Sequence, residues 1–164
     1  QSFYSGYHSS RLDKRFTLSI MANPKDIKSV QANWKAVSPD LTGLGVDVFT
    51  RLFQGRPEYI DLFEGIRLSG PCDNSNPKMR EHSLRIMSTL GSWIYTLSDV
   101  PVSKGLLLLQ GVEHKARRIG ETQFKEVFPH LLDSLEKRLG NAVNRQAWTN
   151  VWRWILDSLA AGWN

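Results

Sequence analysis

Two of the four histidines in this chain, His82 and His114, lie on the apolar faces of predicted helices. His82 shares its face with Met79 and Ile86, three residues before it and four after it, and His114 follows Leu107 at an interval of seven. A single inward-facing histidine is more often a hydrogen-bonded core residue than a metal ligand. Two of them on different helices can offer neutral imidazoles to one transition metal.

Haem iron is the metal centre that this pair suits best, because imidazole is a common haem ligand and a haem fits between two helices. We therefore predict that His114 and His82 are the metal ligands. A haem also needs aromatic and branched walls. The candidates for these walls are Phe49, Phe63, Ile86, Leu107, Ile119, Phe124 and Val127.

Cations and a glycine near the histidines match two further needs of a haem. The propionates need positive charge at the rim, and Arg85, Arg117 and Arg118 lie three or four residues from a histidine, about one helical turn away. Gly111, one turn before His114, would let that helix approach the macrocycle closely.

Other chemistries find less support in the sequence. Glu81 and Glu113 each precede a histidine by one residue and so face away from it, and no third ligand lies at the spacing of a zinc site. No nucleophile elbow indicates a hydrolase, and we predict no enzymatic activity. A haem-free helical interaction module with buried histidines remains an alternative, although an apolar core has no need for the neighbouring cations.

The elements that must position these residues are helical almost throughout. Apolar residues recur at intervals of three and four, and no run alternates with a period of two. Gly45 inside a helix predicts a close helix crossing, and Pro129 predicts an irregularity. We predict an all-α fold of seven or eight helices around a haem pocket. The predicted helices cover about residues 24–38, 41–54, 57–63, 77–97, 104–119, 121–139 and 148–159, with loops at 65–77 and 98–103.

Composition indicates a soluble globular protein of 164 residues, 41% of them hydrophobic and 23% charged. No apolar run approaches the roughly 20 residues of a membrane span. The net charge of +5 is too dispersed to indicate nucleic-acid binding, although it allows an acidic partner or an anionic membrane surface. The single cysteine, Cys72, fits a reducing compartment, so we expect a cytoplasmic protein. Residues 1–22 are predicted to be a flexible extension and residues 23–164 a single domain.

Several segments resemble the globin family and, within it, the neuroglobins. The segment "GLGVDVFTRLFQGRPEYIDLF" has the globin pattern of a helix-crossing glycine, Phe49 in the distal wall, Pro57 and the haem-stacking Phe63. "HSLRIM" places His82 at the distal position, and "GVEHKARRIGETQF" places His114 at the proximal position. The separation of the two histidines matches that of the neuroglobins. The resemblance identifies residues 23–164 as a globin domain, and an invertebrate nerve globin would suit this mixture of features.

The resemblance implies haem b (iron protoporphyrin IX) as the cofactor, but it leaves two functions open. With both histidines on the iron, the centre is six-coordinate, which favours redox, electron-transfer or signalling roles. Oxygen, carbon monoxide or nitric oxide then binds only when His82 is displaced. In the alternative, His82 only hydrogen-bonds bound oxygen, and the protein stores or transports it. Diatomic gases and an unidentified electron-transfer partner are the implied partners, and the sequence does not fix the oligomeric state.

Overall fold

The computed structural model describes residues 22–163, which form seven α-helices and no β-strand. The helices are α1 (Pro24–Val37), α2 (Leu41–Gly55), α3 (Glu64–Arg67), α4 (Pro77–Thr96), α5 (Val100–Ala116), α6 (Glu121–Leu139) and α7 (Arg145–Trp163). Three 3₁₀ segments cover Ser38–Asp40, Pro57–Phe63 and Gly140–Ala142. The prediction of an all-α fold is therefore confirmed. The predicted extension lies outside the described residues except for Ala22, which is buried against the core.

Short polar side chains determine where the main helices begin, because they bind backbone amides that the first turn leaves without a partner. The side chains that do so are Asn23 for α1, Asp40 for α2, Asn76 for α4 and Asp99 for α5. Asn76 is also buried, and its amide donates hydrogen bonds to the carbonyl oxygens of Ile66 and Pro71. It thereby joins the end of α3 and the following loop to the start of α4, the helix that carries His82.

Two glycines let helices cross at close range. A Cβ at Gly45 in α2 would lie 2.7 Å from the Cβ of Ser83 in α4, so the predicted close crossing is confirmed and falls beside His82. A Cβ at Gly111 in α5 would overlap the carbonyl oxygen of Leu159 in α7. Close backbone contact of this kind fixes the axial position of each helix pair.

The structure differs from the sequence expectations at three connections. The predicted loop at 65–77 begins with the short helix α3, and residues 57–63 form a 3₁₀ rather than an α-helix. Helix α5 begins at Val100, within the expected loop, because the Asp99 side chain accepts a hydrogen bond from the Val102 amide. Helix α6 continues through Pro129, since buried residues on both sides of the proline, Phe124 and Leu131, hold it against the core.

Candidate functional site

A cavity of about 650 Å³ lies among α2, α4, α5 and α6, next to the 3₁₀ segment Pro57–Phe63. His82 lines it from near the start of α4, and His114 lines it from the last turn of α5. The structure thus brings ten of the thirteen predicted site residues to one cavity. Besides the two histidines, these are Phe49, Phe63, Arg85, Ile86, Arg117, Ile119, Phe124 and Val127.

The His82 ring lies between aromatic side chains and keeps one nitrogen without a partner. The ring is edge-on to Phe49, with centroids 5.0 Å apart, and to Phe63, at 4.8 Å. Its Nε2 atom is buried and has no hydrogen-bond partner among residues 22–163. A buried polar atom without a partner is costly in a folded protein. An atom of this kind at a cavity wall is therefore a candidate ligand atom.

The other nitrogen of His82 is engaged by Arg85. Its Nδ1 lies 3.1 Å from Nη2 of Arg85, and because a guanidinium can only donate, Nδ1 accepts this hydrogen bond. Burial, with a further contribution from the Arg85 charge, lowers the pKa of His82 to about 4. His82 is therefore neutral at physiological pH, and in this arrangement its proton lies on Nε2.

His114 has the opposite arrangement. Its Nδ1 lies 2.7 Å from the carbonyl oxygen of Gln110, one turn earlier in α5, and can only donate to it. Because Nδ1 donates its proton to this carbonyl, Nε2 is the ring nitrogen that is left to bind another atom. The ring also packs edge-on against Phe124, with centroids 5.0 Å apart. His114 is thus oriented as a metal-binding histidine requires.

The end of α5 fixes the backbone of His114. The carbonyl oxygen of His114 accepts hydrogen bonds from the amides of Arg117 and Ile119, and the Arg118 amide donates to the carbonyl of Lys115, all at 3.0 Å. This helix ending requires one residue in the left-handed region, here Arg118 with φ 59°. A residue other than glycine costs about 1 to 2 kcal/mol there. The ending places Ile119, but not Arg118, on the cavity wall.

The cavity rim carries several charged side chains. Arg85 and Arg117 line the cavity, as does Lys78, whose ammonium group lies 2.8 Å from Glu81. Glu64 also lines the cavity, and so do Glu81 and Glu113, which the sequence analysis expected to face away from the histidines. The two arginines hold their charge at any physiological pH and can form paired hydrogen bonds with a carboxylate. The rim can therefore bind an anionic group of a ligand.

Three predicted site residues lie away from the cavity. Gly111 faces α7 rather than a ligand, Leu107 is fully buried in the core, and Arg118 ends α5. Positions three residues apart on a helix differ by about 60° in direction, which is enough to turn Gly111 from the wall that His114 occupies.

The cavity also includes residues that the sequence analysis did not select. Val48, Leu52, Tyr59, Met87, Leu131 and Trp152 belong to this group. Trp152 lies four residues after Trp148, on the buried face of α7. Periodicity gave the signal that this face is buried, but it could not show that the face meets a cavity.

The cavity fits a haem by the chemistry of its side chains. It has apolar and aromatic walls, two imidazoles that can ligate iron, and arginines that can pair with propionates. The Nε2 atom of His82, which is buried and has no hydrogen-bond partner among the described residues, supports this fit independently.

Comparison with known proteins defines the class of protein. The globin family model matches residues 46–159, so the chain belongs to the globin family. The sequence is similar to neuroglobin from Dissostichus mawsoni and from Chaenocephalus aceratus. Each is 30% identical over 144 residues, which cover 85% of this chain and 91% of the relative. The predicted resemblance to globins, and to neuroglobins among them, is confirmed.

The fold is also similar to a crystal structure, at pH 4, of a hexacoordinated haem protein from an anhydrobiotic tardigrade. The TM-score is 0.76 at 20% identity, and the match covers 86% of this chain and 94% of the other. Membership of the globin family implies a haem cofactor. Within residues 22–163, no helix has both the length and the apolar character needed to cross a bilayer.

Proposed function

We propose that this protein is a cytoplasmic haem b globin in which His114 is the proximal ligand and His82 the distal one. When bound, the haem would supply reversible electron exchange and reversible binding of oxygen, carbon monoxide or nitric oxide. Its role is redox, electron transfer or signalling rather than enzymatic turnover. The observation that carries this proposal is the placement of two imidazoles on the wall of one cavity.

The roles of the two histidines follow from their surroundings. The hydrogen bond to Gln110 fixes the tautomer and orientation of His114, which suits a permanent ligand. His82 is held by aromatic contacts and by the exposed side chain of Arg85, which suits a ligand that can leave. Arg85 and Arg117 at the rim would pair with the propionates.

One observation favours the second candidate, an oxygen storage or transport globin with a five-coordinate iron. While Arg85 donates to Nδ1 of His82, the proton on Nε2 blocks the lone pair that a metal needs and is free to donate a hydrogen bond to a gas. We favour the six-coordinate function because Arg85 also stands at the rim. A propionate there would compete with His82 for the guanidinium.

The deciding experiment is the absorption spectrum of the reduced protein under inert gas. Split low-spin bands are expected for two histidine ligands. His82→Leu should convert them to one broad high-spin band, and His114→Leu should weaken haem retention itself. His130→Leu is the matched control, since His130 does not line the cavity, and it should leave the spectrum unchanged.

A high-spin band in the unmodified reduced protein would contradict ligation by His82 and favour the second candidate. Protein that stays colourless with excess haem would contradict both functions and leave the interaction module.

A further inference from the structure

Helix α5 has an apolar surface that the described chain leaves substantially exposed. Its buried side consists of Ser103, Leu107 and Gly111, which face α7 and the core. The opposite side, here called the α5 outer face, has no charged residue. It consists of Val102, Gly105, Leu108, Leu109, Val112 and Ala116.

The large members of the α5 outer face are substantially exposed. Leu109 is 63% exposed, Val112 53%, Val102 47% and Leu108 44%. A helix that is apolar around most of its circumference is normally buried on all sides. The exposed positions of the neighbouring α4 are mostly polar, which is the usual pattern. The α5 outer face therefore indicates an interaction surface.

Charges around this face indicate an acidic partner. Lys104 and Lys115 lie along one flank of α5, and Arg117 and Arg118 follow its last turn. Between residues 100 and 118 there is a single carboxylate, Glu113, whose Oε2 accepts a hydrogen bond from Gln110 at 3.1 Å. The surface thus combines exposed aliphatic side chains with flanking cations.

A second copy of this chain matches the surface less well. An antiparallel pairing of two α5 helices centred on Leu109 would place Lys104 of one copy beside Lys115 of the other. Two copies would also each carry a net charge of +5. Repulsion between these like charges opposes association of two copies.

A lipid surface matches it better than a protein partner does. The face has no aromatic or arginine side chain at its centre, although such residues dominate the energy of protein interfaces. Aliphatic side chains with flanking lysines are typical of helices that lie in the interface of an anionic membrane.

We propose that the α5 outer face docks on an anionic lipid membrane. Leu109 and Val112 enter the boundary of the acyl layer, while Lys104 and Lys115 approach the headgroups. Helix α5 is about 25 Å long and lies on α7, so it can dock lengthwise without unfolding. Docking through this face does not depend on iron ligation, although α5 also carries His114.

Vesicle flotation of the full chain tests the proposal. Vesicles of phosphatidylcholine with about one third phosphatidylserine should bind the protein at physiological salt. Phosphatidylcholine alone should bind it at least about tenfold less, and about 0.5 M salt should release it. The double variant L109Q/V112Q should weaken binding at least about tenfold, and K104E/K115E should weaken binding to the anionic vesicles only.

The matched control is L68Q/L84Q, which removes two other exposed leucines and should bind like the unmodified protein. Circular dichroism confirms that each variant is folded. Equal binding of L109Q/V112Q and the unmodified chain, or no binding to anionic vesicles, would overturn the proposal. So would dimerisation that L109Q/V112Q abolishes, or vesicle binding that appears only after residues 1–21 are removed.

Discussion

At the residue scale, the two histidines differ in what holds their Nδ1 atoms. A backbone carbonyl accepts from Nδ1 of His114, whereas a guanidinium donates to Nδ1 of His82. The first contact leaves the Nε2 lone pair of His114 available to a metal. The second contact places the proton of His82 on its Nε2 atom. Arg85 must therefore release His82 before His82 can bind iron through Nε2.

Replacing Arg85 should change the balance between the two coordination states. In Arg85→Met the donor is gone, so the proton of His82 can move to Nδ1, and we expect His82 to compete more strongly with gases and carbon monoxide to bind the reduced protein several-fold more slowly. Haem dissociation should also be several-fold faster, because a propionate loses its cation. The control is Lys78→Met, which removes another rim cation that contacts Glu81 rather than His82. An unchanged rate of carbon monoxide binding in Arg85→Met would contradict this role.

The buried neutral state of His82 predicts a pH dependence of the haem-free fold. The pKa of His82 is about 4 in the folded chain, against about 6.5 when unfolded. Because the unfolded chain takes up the proton first, His82 contributes stability above about pH 6.5 that is lost as the pH falls toward 4. Relative to His82→Gln, the free energy of unfolding should decrease by about 3 kcal/mol over this range. Denaturant titrations at several pH values measure the free energy of unfolding of both proteins. If it changes with pH in the same way for both, His82 is not buried as a neutral group.

At the element scale, α5 is positioned by its crossing with α7. Gly111 and Gly162 lie against each other's backbones, so this contact sets how deeply His114 reaches toward the cavity. The carbonyl of His114 is held at the same time by the ending of α5. The position of His114 thus depends on the α5–α7 crossing, which lies outside the cavity lining.

Two glycine substitutions in α5 should therefore have opposite effects. Gly111→Ala places a methyl group against the Leu159 carbonyl and should lower the free energy of unfolding by about 2 to 3 kcal/mol. Gly105→Ala, on the same helix, meets nothing within 4 Å and should raise it by about 0.5 to 1 kcal/mol. Urea denaturation of both variants gives the comparison. Similar effects of the two would mean that the α5–α7 crossing is looser than the structure shows.

At the scale of the whole molecule, residues 22–163 form a packed core and line the cavity described above. The proposed domain boundary at residue 23 remains a prediction, and Ala22, one residue before it, packs against the core.

Removal of residues 1–21 should leave both stability and the haem site unchanged. The truncated protein should show the same reduced spectrum and the same thermal midpoint as the full chain, because residues 22–163 supply a packed core and both histidines of the cavity. Spectroscopy and calorimetry of the two chains side by side provide the measurement. A shifted band or reduction potential would show that the first segment acts on the haem site.

The sequence by itself determined the local part of this protein. Asn23, Asp40 and Asn76 mark helix starts because capping depends on residues a few positions apart. The period of the apolar residues identified the buried faces, and it showed that His82 and His114 lie on them.

Only the tertiary structure decided what those faces meet. Periodicity gives the direction of a side chain but not its neighbour, so Gly111 was assigned to the ligand and proved to contact α7. The same limit hid the exposure of Leu109. Neighbours of this kind arise when helices distant in sequence pack together, and that packing depends on the shapes of all the surfaces at once.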